Sequence, residues 1–170
     1  MRGLWIVLLL AWAVPASATT ALLLDDAEQA RRSTAVVVAT VGEAAVALHP
    51  EYRRPVTRTA LTVHETLYGA APARVTVEQF GGTWQGKTLY VPGDARLEPG
   101  ARLVLFLRQV DDGWYLTAME QSAWTVDGER LVRPNTAHYV VRDAAGRLAD
   151  APAPPATTLP ALRATLKGLR

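Results

Sequence analysis

The chain has 170 residues, 18 basic and 16 acidic side chains, and no cysteine. The missing cysteine excludes disulfides, thiol chemistry, cysteine-ligated metals and a lipid-modified N-terminal cysteine. Balanced charge without a clustered basic face argues against nucleic acid as a partner.

Residues 1–18 carry the three parts of an export signal in order. Arg2 is the basic n-region. Leu4 to Val14 form an apolar run of about eleven residues, suited to a signal h-region and too short to span a bilayer. Pro15 breaks the run, and Ala16-Ser17-Ala18 supplies the small residues that signal peptidase accepts. Cleavage is expected after Ala18, leaving Thr19 as the new N-terminus. The competing readings of the same run are a buried apolar helix and an uncleaved anchor. No later stretch approaches transmembrane length. An exported domain of this size without cysteine points to a bacterial periplasmic or secreted protein, because exported domains in oxidising compartments often rely on disulfides. The signal is the same for periplasm and medium.

Beyond it, Ala21 to Arg32 reads as a short helix, with Asp25, Asp26 and Glu28 early and Arg31 and Arg32 late, complementing the helix dipole. Ala35 to Val41 is a β-branched run ending at Gly42, hence a buried strand. Glu43 to Arg54, with His49-Pro50, reads as a loop. Val56 to Leu67 alternates, with Leu61, Val63 and Leu67 on one face and Thr62, His64 and Thr66 on the other, as in a half-buried strand. Tyr68-Gly69 opens a turn through Pro72. Arg74 to Phe80 is the next strand, with Val75 and Val77 inward, and Gly81-Gly82 suits a bulge or sharp exit.

Lys87 to Val91 is a short strand candidate before the turns at Pro92-Gly93 and Pro99-Gly100. Arg102 to Arg108 is apolar on both faces, as a central strand is. Asp112-Gly113 turns into Trp114 to Met119. Trp124 to Val126 and Arg130 to Val132 flank Asp127-Gly128, a strong hairpin signal. His138 to Arg142 is expected to pair near Arg147-Leu148. Ala149 to Pro160 is an Ala/Pro-rich tether, and Leu159, Leu162, Leu166 and Leu169 mark one stripe of a short C-terminal helix. Arg163, Lys167 and Arg170 lie opposite, so the helix reads either as a lid on the strands or as an interfacial membrane helix.

About eight short strands with turn residues between them predict a mainly β fold: a small antiparallel barrel, OB-like, or a sandwich, with short terminal helices. The domain plan is a signal over 1–18, a single β-rich domain over 19–148, and tether plus helix over 149–170. Thr57-Arg58-Thr59 leading to Leu67-Tyr68-Gly69, then Val75-Thr76-Val77, Gly81-Gly82, Pro99-Gly100, Leu105-Phe106-Leu107 and Gly113-Trp114-Tyr115, resembles a recurrent, uncharacterised domain of exported bacterial proteins. The likeness covers roughly Thr34 to Pro134. Its topology is similar to five-stranded OB-type barrels, including those of secreted protease inhibitors. This chain lacks the helix between the third and fourth long strands and the N-terminal cysteine that such inhibitors direct at a catalytic metal, so the resemblance implies no inhibitory role.

Chemistry is sparse. His64-Glu65-Thr66-Leu67-Tyr68 is one residue short of the HExxH zinc motif, and in a strand His64 and Tyr68 stand about 13 Å apart, too far for one ion. His49, His64 and His138 are isolated. Ser33 and Ser122 lie outside any nucleophile motif, and Asp25-Asp26, Asp111-Asp112 and Asp127/Glu129 sit at a helix start or in turns. No cofactor is expected. The aromatic residues carry more signal. Trp84 stands in the polar run Gly81-Gly82-Thr83-Trp84-Gln85-Gly86, near Tyr90 and Trp114, where rings either plug barrel ends or bind. The candidate binding loop is therefore Gly81, Gly82, Trp84, Gln85, Tyr90 and Trp114. The expected function is a non-catalytic binding or accessory module of the bacterial cell envelope, with an envelope or secreted protein or a saccharide as partner. The alternatives are a small secreted hydrolase assembled from scattered His, Asp and Ser residues, or a carrier of an apolar ligand.

Overall fold

The computed structural model describes residues 20–134, 138–153 and 155–169; the expected signal over 1–18 lies outside the described residues. The chain is mainly β. Strand β1 (Thr20–Leu22) and helix α1 (Asp26–Arg31) precede two long strands, β2 (Ala35–Leu48) and β3 (Pro55–Gly69). Then come β4 (Arg74–Phe80), the short β5 (Gly82–Trp84) and β6 (Lys87–Leu89), and the long β7 (Arg102–Val110). Next are β8 (Gly113–Leu116), a 3-10 turn over Met119–Ser122, β9 (Ala123–Asp127) and β10 (Arg130–Val132). The last elements are β11 (His138–Arg142), β12 (Leu148–Asp150), β13 (Thr157–Thr158) and α2 (Leu159–Lys167). Among the described residues no helix is long and apolar enough to cross a membrane.

The main sheet has the order β13-β10-β9-β7-β2-β3-β4-β8, and β8 also pairs back onto β7. A second sheet has the order β1-β11-β12, and β5-β6 form a separate hairpin. Strands β2 and β7 are central, and they explain why both sequence runs are apolar throughout. Alternate side chains point to opposite faces, and each face is covered. Val36, Val38, Val104 and Phe106 pack with Trp124 and the α2 leucines Leu159, Leu162 and Leu166. Ala35, Val37, Leu103, Leu105 and Leu107 pack with Leu61, Val75 and Val77. By contrast, β4 alternates, burying Val75 and Val77 between exposed Arg74 and Thr76. Strand β3 does not keep one buried face: Leu61 packs in the second cluster and Leu67 in the first, because register shifts against β2 at Val36/Val37 and Val38/Ala39 break the expected alternation that put Leu61 and Leu67 on one face.

Four further expectations change. The helix expected over 21–32 is confined to Asp26–Arg31: Thr20 to Leu22 instead pair in parallel with His138 to Val140. Asp25 then caps α1, its carboxylate accepting from the Glu28 N–H at 2.7 Å. Long-range pairing outweighs local helix preference here, and a side-chain oxygen at the cap ends the competition. The loop expected over 43–54 is strand in its first half, since β2 continues to Leu48 and pairs with β3 from Ala44↔Thr59 to Leu48↔Pro55 after a register shift between Val41 and Ala44; residues 49–54 form the turn. Gly42 is thus a bulge residue and not a strand end. The run 81–86 is a tight hairpin, turned by Gln85 and Gly86, both at positive φ, as a two-residue hairpin turn demands. The expected tether also supplies strand: Ala149 and Asp150 belong to β12, and Thr157 pairs with Leu131.

Helix α2 lies on the sheet. Thr158 caps it, accepting from Ala161 N at 3.3 Å, and Pro160 occupies its first turn, where a missing N–H costs nothing. The Arg163 guanidinium makes two bonds to Glu65 on β3, at 2.9 and 2.6 Å.

Candidate functional site

Strand β4 ends at Phe80, and the two glycines that follow turn the chain sharply. Gly81 N donates to Pro55 O (2.9 Å) and Thr57 Oγ1 donates to Gly81 O (2.9 Å). Gly81 and Gly82 have φ of 116° and 112°, a region in which glycine is strongly preferred. Space imposes the same choice: a Cβ on Gly82 would lie 2.7 Å from Thr57 Oγ1 and 2.9 Å from Val46 Cγ2. The β5-β6 hairpin folds out from this point, and residues 90–101 return across the end of the sheet. That return is fixed along its length. Gln79 Nε2 donates to Ala95 O (3.0 Å), Glu120 N to Gly93 O (3.1 Å) and Gly100 N to Val41 O (2.8 Å).

Between this return segment and the sheet lies a cleft of about 630 Å³. Thr57, Thr59, Gln79 and Thr125 contribute to its walls, and Phe80, Leu89, Tyr90 and Val132 add apolar surface. Two acids and two bases, Asp94, Arg96, Glu120 and Arg133, also line it, so their formal charges cancel. Burial raises the Asp94 carboxyl above its ordinary range, while bonds from Gln79 and the Ala95 N–H pull it part of the way back. Glu120 is buried and accepts from the Tyr139 hydroxyl at 2.5 Å. Burial first, and then that carboxylate, push the Tyr139 phenol well above its usual value, so it stays protonated. Arg133 donates to Asp26 at 2.9 Å and stacks its guanidinium 4.1 Å from the Trp124 ring centroid, a cation–π contact. The lining is mixed in polarity and balanced in charge.

The six sequence candidates divide. Gly81, Gly82 and Tyr90 line the cleft, and Tyr90 is 71% exposed. Trp84 is half-buried on β5 and Gln85 turns the hairpin, and neither is among the lining residues. Trp114 is half-buried against the core cluster that holds Val77 and Leu107, and β8 places it opposite Val77 on β4. Sequence reasoning missed Phe80, Asp94, Glu120 and Arg133. It also missed Tyr52, whose ring meets Phe80 edge-on at 5.7 Å. The available signal was an aromatic residue directly before Gly81-Gly82 and another in the turn after His49-Pro50.

The scattered polar residues are held apart. His49 faces Glu78 (3.8 Å), His64 bonds Thr40 (2.7 Å) and His138 pairs with Asp150 (3.2 Å). Ser122 is fully buried, and its hydroxyl accepts from Gln29 Nε2 (3.0 Å) and Ala118 N (2.6 Å). Ser33 donates to Gln29 O at 2.7 Å. These hydroxyls knit α1 to the 3-10 turn. Among the described residues no group of three or more His, Asp or Glu side chains is placed to hold a metal ion. Comparison with known proteins returns no match: no family model, no curated protein and no solved structure aligns with the chain.

Proposed function

We propose that this chain is an exported, non-catalytic binding module of the bacterial cell envelope, and that its ligand enters the cleft beneath the 90–101 segment. One observation carries the reading. Among the described residues eight large apolar side chains are exposed, and four of them (Tyr52, Phe80, Tyr90 and Val132) line this cleft or stack on its lip. Scattered exposed apolar residues need no explanation, whereas a group around one concavity marks a binding surface. Export is supported by the Arg2, Leu4–Val14 and Ala16-Ser17-Ala18 pattern, and a bacterial origin for such an exported domain by the absence of cysteine. An OB-like barrel is supported by the circuit of pairings β2-β3-β4-β8-β7-β2, in which the link between β4 and β8 is the single parallel pair Val77↔Trp114.

The test is capture from native envelope extract after mild crosslinking, with identification of both protein and saccharide in the bound material. Wild type should retain one stoichiometric species. Tyr90→Ala should lose it, and Trp84→Ala should keep it. Equal backgrounds for wild type and Tyr90→Ala would sink the reading.

A further inference from the structure

The turn between β2 and β3 and the end of β4 form an aromatic platform on the outer lip of the cleft. His49 and Tyr52 lie with ring centroids 4.6 Å apart and planes 31° from parallel, and Phe80 sits 6.2 Å from His49 and 5.7 Å from Tyr52. Tyr52 is 56% exposed and Phe80 is 45% exposed. The turn that carries them is firmly held. His49 N donates to Arg54 O (2.8 Å) and Arg53 N to His49 O (3.0 Å). His49 Nδ1 accepts from both Glu51 N and Tyr52 N at 3.2 Å. A turn held this way loses little freedom when a ligand settles on it, which favours binding.

Planar polar groups lie beside the rings. Glu78 stands opposite Arg58 in the β3-β4 register, and Arg58 Nε donates to its carboxylate at 2.8 Å. The other carboxylate oxygen is 3.8 Å from His49 Nε2. A guanidinium carries five N–H donors and a carboxylate about four acceptor positions, so their mutual bond leaves capacity on both. Phe80 belongs at once to this platform and to the cleft lining; alternation puts Arg58 and Glu78 on the opposite sheet face from Thr57 and Gln79, so the path passes around the end of β4 at Phe80.

We propose that Tyr52, Phe80 and the Arg58–Glu78 pair form a subsite for a neutral oligosaccharide that runs from the cleft across the lip. A sugar ring offers an apolar C–H face and a rim of hydroxyls. The first fits an open aromatic face, and the second fits donors and acceptors lying beside it. The charge-balanced cleft favours a neutral ligand over a polyanion or a strongly basic peptide, because an unmatched charge would lose hydration without a partner. The inference rests on the binding reading of the cleft.

The experiment titrates the full chain with cellotetraose, chitotetraose, laminaritetraose and maltotetraose by calorimetry. At least one should bind, Tyr52→Ala should weaken it about tenfold or more, roughly 1.4 kcal/mol, and Tyr52→Phe should retain most of the affinity. Arg58→Ala should weaken it several-fold while circular dichroism and Tm confirm an intact fold. Binding by none of the four at about 10 mM, or equal affinity in Tyr52→Ala, overturns the subsite. If titration fails while extract capture still yields a Tyr90-dependent protein, the saccharide falls and the binding reading stands. Failure of both removes both.

Discussion

Two aromatic groups in this molecule have opposite surroundings. Phe106 and Trp124 lie 4.9 Å apart, at 0% and 1% exposure, beneath α2, with Arg133 stacked on the indole. Tyr52 and Phe80 also meet ring to ring, edge-on at 5.7 Å, yet both remain open to water. The first pair shares its cluster with Val36, Val104 and the α2 leucines; the second stands at a lip beside His49, the glycine exit from β4 and the 49–54 turn. The difference separates stability from recognition. Rings that hold the fold are covered by it, and rings that the fold holds rigid but leaves uncovered are available to something else.

Substitutions test that separation. The largest effect is expected at Trp124→Ala, which empties the covered cluster and removes the platform for Arg133; it should cost about 3–5 kcal/mol in denaturant unfolding. Leu162→Ala, at 1% exposure on α2, should cost about 2–5 kcal/mol by the same cavity argument. Comparable loss from Tyr52→Ala would erase the contrast, since an exposed ring should change stability by about 1 kcal/mol or less. Gly82→Ala acts on the connection between the two regions. Its positive φ and the crowding by Thr57 and Val46 predict a loss of about 1–3 kcal/mol, with faster amide exchange in β5 and β6.

Two charge effects are smaller. Because burial raises the Asp94 carboxyl in the fold, folding favours the protonated form. The stability it lends is complete below the unfolded aspartate value and is lost as pH rises through the folded one. Asp94→Asn should therefore raise Tm at neutral pH, and the gain should vanish in acid, as thermal melts across pH would show. Glu65 has the opposite sign. The Arg163 hydrogen bond, partly opposed by burial, holds its carboxyl below the usual range, so its contribution is present above the unfolded glutamate value and is lost as pH falls through the lowered one. Both partners are about 40% exposed, so water screens the pair, and Arg163→Ala should cost only about 0.5 kcal/mol at low salt.

The strands that bury two faces, β2 and β7, were legible because unbroken apolar runs such as Arg102 to Arg108 need cover on both sides. Asp127-Gly128 and Gly81-Gly82 were legible because turn chemistry is local. The N-terminal strand was not, since Thr20 to Leu22 are recruited by residues more than a hundred positions away. The cleft was half legible for the same reason. Tyr90 stood out as a ring in a polar stretch, but Phe80 read as an ordinary strand residue, and Asp94 and Glu120 acquire meaning only when Gly93 and Glu120 meet across the fold. Trp84 was singled out by a polar setting that the hairpin turn explains without a ligand.

If a ligand occupies the cleft and its aromatic lip, hydrogen exchange on the full chain in native envelope extract should slow at residues 79–97 and in the 49–54 turn relative to buffer, with the amides of α2 and β12 unchanged. Protection confined to α2 or β12, or no protection anywhere, would contradict that occupancy.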